Sequence, residues 1–543
     1  MLFAARSAAA LHRLLDVVPV FRGDGRIRRR FVLVPGSEFG VDALAAVERA
    51  GARTVPWSEA LAGGHDLVLA ASPKGELSAL GGPLVLLPHG AGFNKTLTAE
   101  GTADSASGLD GLFLLHERRP LADVHALAHP GQIERLAAEA PAAAARGVVV
   151  GDPTLDRILE SVGRRDRYRA ALGTGTRRLV VVVSTWGPES LGVRRPGLVR
   201  ELSGHLPYDE WQVALVVHPN VHSERGAYDL LESLAPELDA GLVLSRPYEE
   251  WGALLVAADA VVTDHGSTAL YAAALDRPVV AACDGGAELI PGSPMARLLD
   301  RAGVLGGAAD LDDLVRGHRP GAQRAAAATA FARQGEALEL LRAEVYRLLG
   351  LDPPPYPADP APLPVPAAPA RTPYAFAVHA RQEGAEGTEG TEETAVGITR
   401  HPAWADVATH HLAADAELAA RRQQESAALL FRRSAPETAV AAEAWTARIL
   451  ERYPGRRTVA APIADGRWLV RRSGGALYDV VLDAGPGPGR GPVDPTALLS
   501  GVHAHLSAAQ DRAVAVAGRL HVRVGGTRHS VRLTPRPPLS PAP

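Results

Sequence analysis

The chain has 543 residues, a formal net charge of −4, 46% apolar residues and 22% charged residues. That length suits roughly three domains, and the composition is that of an ordinary globular protein with no bulk positive charge to hold nucleic acid. Its single cysteine, Cys283, excludes an intramolecular disulfide and a cysteine zinc site; it agrees with a reducing, cytoplasmic setting and reads as a small buried hydrophobe after the apolar run 278–282.

In chain order, residues 1–21 contain no apolar run of the ~20 residues that a membrane helix needs, and Arg6, His12, Arg13 and Asp16 interrupt any signal-peptide core. Leu11, Leu14, Leu15 and Val18 recur at helical spacing and predict an amphipathic helix packed on the first domain. A sharper reading, in which Arg26 and Arg28 to Arg30 help it rest peripherally on the inner face of the cell membrane, is the alternative. From residue 31, short β-branched runs alternate with helical stretches. Strands are expected at 31–34, 53–55, 66–70, 84–88, 111–115 and 147–150, with a helix at 41–50. The pattern restarts with strands at 179–184, 211–217, 241–244, 260–263 and 278–282, helices at 249–257, 268–275 and 295–301, and one long Ala-rich helix at 323–349. Buried apolar strands separated by helices imply parallel sheets covered on both faces.

Residues 351–371 hold nine prolines and predict a stiff, extended linker outside any packed element; 382–393, rich in Gly, Glu and Thr, predicts disorder. Beyond it, 411–431 and 439–453 read as helices, 467–471 and 477–482 as strands, and 520–524 with 529–533 as a hairpin about Gly525-Gly526. The expected organisation is an N-terminal Rossmann-like domain at 1–150, a second at 151–350, a linker at 351–398 and a small α+β domain at 399–543. In that last region His401, His410 and His411 near Asp406 read as solvated helix-start residues more readily than as a metal site.

Open parallel sheets bind ligands at the carboxyl ends of their strands, and four such places carry chemistry. Pro88-His89-Gly90, running on to Asn94-Lys95, puts a histidine at a strand end, where a neutral imidazole can take a proton from an attacking hydroxyl, beside glycines that let a ligand approach the backbone. Ser184-Thr185-Trp186-Gly187-Pro188 follows the Val-rich strand, with a helix start to meet a phosphate and an indole to pack near a nucleotide. His218-Pro219-Asn220 offers a second strand-end histidine; with His222 it lacks the further ligands of a metal site. Asp264-His265-Gly266-Ser267-Thr268 runs through a turn into a helix start where hydroxyls and amides converge. Each has a plain alternative as a turn, cap or packing residue. The weight comes from all four falling at strand ends of two consecutive α/β units.

The order of these motifs, His89-Gly90 with Lys95, Thr185-Trp186, His218-Pro219 and the run from Ala258 to Asp264, resembles the CDP-glycerol glycerophosphotransferase (teichoic acid polymerase-like) family over about residues 31–349. The resemblance implies a GT-B fold, two Rossmann-like domains facing across a cleft. It implies His89 as general base, His218 on the donor phosphates, and Ser267 and Thr268 holding the diphosphate. Gly90, Thr185, Trp186, Asn220, Asp264, His265, Gly266 and Glu288 complete the expected donor site. His265-Gly266 departs from the family's Tyr-Ser, which puts donor identity in question. The implied partners are CDP-glycerol or a similar nucleotide-diphosphate donor and a hydroxyl-bearing glycolipid or polymer acceptor in cell-envelope synthesis, with no nucleic acid, no cofactor beyond the activated donor, and no metal ligand set. A GT-B glycosyltransferase or epimerase using a UDP- or GDP-sugar, and a degenerate non-catalytic nucleotide-binding module, are the competing readings.

Overall fold

The computed structural model describes residues 1–36, 45, 47–88, 90–96, 108–247, 250–385, 393–434, 438–455, 458–463, 466–482, 493–511 and 517–537. The expected helix at 41–50 lies largely outside these residues, as does most of the segment 382–393. The first sheet is parallel, in the spatial order Arg30–Leu33, Leu2–Ala5, Val68–Ala70, Leu84–Leu86, Val124–Leu127, Gly147–Val149; Thr54 adds an isolated bridge to Phe31. The second is also parallel: Val243–Leu244, Trp211–Val217, Arg178–Ser184, Ala260–Thr263, Val279–Ala281, Gly303–Val304. Its order counts 3-2-1-4-5-6 along its own chain, so its connections reverse direction between Arg178–Ser184 and Ala260–Thr263, where such sheets open a ligand crevice. The nearly pure Val strand is explained by burial on both sides. Leu179, Val181 and Val183 join one apolar cluster, while Val180 and Val182 join another.

Several expectations are corrected. The N-terminus is a strand, Leu2–Ala5, followed by the helix Ala8–Val17 capped by the Ser7 side chain. The strand is only four residues long, too short to show a period, yet all four are buried between neighbours on both sides. Residues 111–115 are mostly one helical turn, Gly111–Leu114, because the Asp110 carboxylate caps the Leu112 amide. The expected helix 323–349 is two helices, Ala322–Ala327 and Ala337–Leu349, parted where Arg333 (φ 51°) and Gly335 (φ 83°) turn left-handed. The second of these crosses back to the first domain. Its Leu338, Leu341, Val345 and Tyr346 share a core with Phe3, Leu11 and Phe21.

The proline-rich segment has no helix or strand but is a strap bonded along the second domain, not a free spacer. Leu363 is buried, its carbonyl accepts from the Tyr168 hydroxyl (2.9 Å) and its amide donates to Ser161 Oγ (2.9 Å); the Ala367 amide donates to Glu250 (3.0 Å). The C-terminal region, expected as a small α+β domain, closes nine strands into a barrel, and it begins at Ala375. Residues 411–431, expected helical, are a strand His411–Asp415, a short helix Arg421–Ser426 and a strand Leu429–Phe431; pairing with Ala375–Val378 on one side and Thr458–Ala460 on the other overrides an Ala/Leu composition that favours helix. The helix Pro495–Asp511, which shows no clear period in sequence, contacts strands on opposite sides of the closed sheet and so lies inside it. Leu498, Val502 and Leu506 share a core with Val396, Val470, Val480 and Val522.

The barrel sits on the second domain through Arg400, which is fully buried. Its guanidinium takes both oxygens of Asp209 (2.8 and 2.6 Å), Asp494 (3.0 Å) and Thr496 (2.7 Å). His401, far from solvated, meets the Gly204 carbonyl at 3.0 Å, and Trp404 donates to Pro236 (3.0 Å). These contacts lie beside the amino end of Trp211–Val217, the end opposite the cleft, so the barrel does not line the cleft at this contact.

Candidate functional site

The carboxyl ends of both sheets open into one cleft of about 770 Å³. From the first domain come Gly90, Ala91, Phe93, Asn94 and Lys95; from the second come Thr185, Trp186, His218, Asn220, Glu288 and the whole turn from Asp264 to Thr268. His89 lies outside the described residues. Its neighbours define the loop: Arg135 donates to the carbonyls of Gly92 and Phe93 (2.6 Å each), and Arg13 donates to the Pro88 carbonyl (3.1 Å). Gly90 faces the second domain so closely that a β-carbon there would stand 3.4 Å from Ser267 Oγ. The two strand-end loops therefore approach each other across the gap.

His218 caps the helix Pro219–Ser233, its Nδ1 accepting from the Asn220 amide at 3.1 Å. An Nδ1 that accepts leaves the proton of a neutral imidazole on Nε2, where it can be donated. The Trp186 indole lies 6.1 Å from the His218 ring, tilted by 39°. Asp264 is fully buried and accepts from the amides of Thr185 (2.9 Å), Leu191 (2.8 Å) and Gly266 (2.8 Å) and from Ser184 Oγ (3.2 Å). Its carboxylate clamps the two loops flanking the reversal point, so its place is to position them. His265 points its Nε2 at Glu288 (2.9 Å), and its Nδ1 is buried without a partner among the described residues. Ser267 makes no side-chain cap to the helix Thr268–Ala274, and Gly266 lies against Thr185.

Lys95 and Glu288 join the domains across the cleft, Nζ to Oε2 at 2.8 Å, and Lys95 also contacts the Trp186 carbonyl and lies 5.0 Å from its ring. The chains beside them pair as well, Thr96 N to Glu288 O and Ile290 N to Asn94 O, both 2.9 Å. Gly187 needs its left-handed φ of 99°, and a β-carbon there would stand 2.8 Å from Glu288 Oε1. On the first domain's wall of the cleft, Arg6 follows the strand Leu2–Ala5 and Lys74 the strand Val68–Ala70. Burial pulls the Lys74 ammonium below the usual lysine range, and the Arg6 charge pulls it the same way.

Sequence reasoning gave no site role to Arg13 or His125, both of which line the cleft. Arg13 is fully buried and forms a two-pronged ion pair with Asp152, to which the Tyr271 hydroxyl also donates (3.1 Å). The available signal was an arginine on the apolar face of the first helix, in phase with Ala10, Leu14 and Val17. His125, in a strand of the first sheet and lining the cleft, is buried, and burial lowers it to about 4. Cys283, expected to be a buried hydrophobe, is half-buried against an apolar cluster, its thiol raised by burial. Among the described residues no group of three or more His, Cys, Asp or Glu is placed to hold a metal ion, and no helix is long and apolar enough to cross a membrane.

No family description and no curated protein matches the chain. Solved structures similar to it include the wall teichoic acid polymerase TagF, at 13% identity and a TM-score of 0.46 over 64% of this chain and 88% of that one. The Anabaena protein Alr3699/HepE in complex with UDP is similar at 17% identity and 0.39, over 64% of this chain and 99% of its own. UDP-GlcNAc 2-epimerase from Neisseria meningitidis, bound to UDP-GlcNAc, is similar at 12% identity and 0.41, over 64% and 98%.

Proposed function

We propose that the chain is a transferase that grips a nucleotide-diphosphate donor in this cleft and passes its activated group, a polyol phosphate such as that of CDP-glycerol, to an acceptor hydroxyl in cell-envelope polymer synthesis on the cytoplasmic side. The observation that carries the reading is the approach of Gly90 to Ser267 across a single cleft that also takes in His218 and Trp186.

In this reading the acceptor oxygen attacks the β-phosphorus while the bond from that phosphorus to the oxygen of CMP breaks, and the acceptor's proton passes to His89. His218, donating from Nε2, offsets charge growing on the leaving phosphate. Ser267 and Thr268 hold the diphosphate, with Trp186, Asn220 and Glu288 around the nucleotide. Asp264 acts through the loops it clamps. Such transfer depends on positioning and charge stabilisation more than on covalent chemistry. The cations Arg6, Lys74 and Lys95 suit a substrate carrying several negative charges.

A UDP- or GDP-sugar donor is the second reading. It is favoured by the His265-Gly266 turn, whose imidazole is turned to Glu288 and whose glycine brings no hydroxyl. Incubating the full chain with CDP-glycerol, UDP-sugars and GDP-sugars, with and without polyol or glycolipid acceptors, and reading the nucleotide released decides between them. CMP release supports the proposal, and UDP or GDP release replaces it with the second reading. Nucleotide binding without any turnover leaves a non-catalytic module.

A further inference from the structure

The two domains interlock beside the cleft, and one side chain that the proposed chemistry leaves idle sits at the crossing. Ala91, directly after Gly90, is buried in an apolar cluster built mainly by the second domain, with Val183, Leu270 and Tyr271. Ile290 of the second domain packs in return against the first domain's cluster of Phe93, Leu114 and Leu127. Between these exchanges the two backbones pair at Lys95 and Leu289.

Asn94 is 5% exposed and uses both ends of its side-chain amide. Nδ2 donates to the Ala91 carbonyl at 2.6 Å, and Oδ1 accepts from the Met295 amide at 3.1 Å, at the start of the helix Pro294–Leu299. Its main-chain carbonyl accepts from Ile290 (2.9 Å). A carbonyl only accepts and a main-chain amide only donates, so the two ends of the side chain cannot trade places. One end therefore closes the first-domain loop while the other holds the second domain.

The loop closed in this way departs from ordinary backbone geometry. Gly92 and Phe93 are both left-handed, at φ 87° and 49°. That conformation is unfavourable for phenylalanine and persists only where the surroundings impose it. Arg135 holds the Gly92 and Phe93 carbonyls, and Asn94 holds that of Ala91. A β-carbon at Gly92 would stand 2.8 Å from Asn94 Oδ1, so turn and side chain leave each other no slack. The turn follows directly on Gly90, the residue that faces Ser267.

We infer that Asn94 is a positioning residue for the transfer, making the shape of the loop after Gly90 depend on the placement of the second domain. With that domain in place, Met295 fixes Oδ1 and thereby aims Nδ2 at Ala91. With it displaced, the strained turn loses its closing bond. The loop that follows His89 and the turn that carries Ser267 thus come into register together. The catalytic consequence rests on the transferase reading, whereas the coupling rests on the contacts of Asn94.

Two variants of the full chain separate the ends of the side chain. Asn94→Asp keeps an oxygen for Met295 but sets a second acceptor against the Ala91 carbonyl. With CDP-glycerol, or the UDP-sugar that releases nucleotide in its place, kcat is expected to fall about a hundredfold, as for a displacement of about 1 Å. Donor Kd is expected to stay within about twofold of the wild type, which separates positioning from binding. Asn94→Ala removes both ends. Hydrogen exchange of the unliganded chain, read by mass spectrometry, is expected to quicken about fivefold in residues 90–96 and in 288–296 alike, whereas Asn94→Asp quickens the first segment only. Should Asn94→Ala not fold, Ser293→Ala removes the cap beside Met295 and is expected to quicken exchange in 90–96 by about fivefold from the opposite domain. Wild-type kcat in Asn94→Asp, or exchange that changes on one side only in Asn94→Ala or Ser293→Ala, would overturn the inference. Exchange quickened on both sides in a chain that releases nucleotide from no donor would uphold the coupling and remove the transferase reading.

Discussion

Arg13 and Asp152 form a two-pronged ion pair beneath the cleft, Nη1 to Oδ1 and Nη2 to Oδ2, both at 2.7 Å and both residues buried. Arg13 belongs to the first helix, Asp152 caps the helix Pro153–Glu160 at the crossover between domains, and Tyr271 adds a hydroxyl from the second domain. The same guanidinium holds the Pro88 carbonyl, one residue before His89. Removing it strands a buried carboxylate. Arg13→Ala is therefore expected to lose about 3–5 kcal/mol, read by urea unfolding of the full chain. Burial pushes the Asp152 carboxyl up, but the Arg13 charge and hydrogen bonds to Arg13, Leu155 and Tyr271 hold it below its usual value. Its contribution is thus present above the ordinary carboxylate range near 4 and fades only as pH falls through that lowered value.

Two buried histidines set an earlier acid limit. Burial lowers His125 to about 4, and burial together with the charges of His503 and His410 lowers His411 to about 2. Unfolded, both titrate near 6.5. The unfolded chain therefore binds more protons below that pH, so stability is full above about 6.5 and declines beneath it. Each histidine is expected to cost roughly 2 kcal/mol at pH 5, the first domain losing through His125 and the barrel through His411. Calorimetric melts at pH 7.5 and pH 5 check this. His125→Phe should flatten the first domain's share and His411→Phe the barrel's.

Gly90→Val places a branched side chain into the space facing Ser267. The backbone at Gly90 is not left-handed, so the fold has no reason to object. The gap does, since a β-carbon alone reaches 3.4 Å from Ser267 Oγ. Donor affinity is expected to fall ten- to a hundredfold with the melting temperature within a degree or two, as fits about 1–3 kcal/mol of overpacking at the bound state. Unchanged affinity would place the donor elsewhere.

Arg400→Met tests the seat of the barrel. Asp209 and Asp494 would face each other without their shared cation, at an expected cost of about 3–5 kcal/mol. Faster proteolysis between the second domain and the barrel, and a barrel melt at lower temperature, are the expected readouts. Asp209→Asn, which keeps a hydrogen-bond acceptor, should lose less.

The core of the two parallel-sheet domains was legible in the sequence because burial on two faces writes itself as unbroken apolar runs, as in Leu179 to Val183. The strand-end loops bearing Thr185, His218 and Ser267 were found for the same reason. Short pieces were not legible. Leu2–Ala5 has too few residues to show a period, and Asp110 turned an apolar run into a helical turn through one cap. The barrel escaped because its pairing is non-local: Ala413 and Ala414 become strand residues only against Ala375 and Phe376. The Lys95–Glu288 tie and the Arg13–Asp152 pair could not be read either, since their members lie far apart in the chain and a lone charge on an apolar face does not name its partner.

A calorimetric titration of CDP-glycerol into the full chain, repeated with Gly90→Val and with His218→Ala, bears most directly on whether one cleft grips the pyrophosphate from both domains. The account predicts saturable one-to-one binding by the wild type, weakened at least tenfold by either substitution although they sit on opposite domains. Binding of equal strength in all three proteins, or heat from none of them with any nucleotide-diphosphate donor, would contradict it.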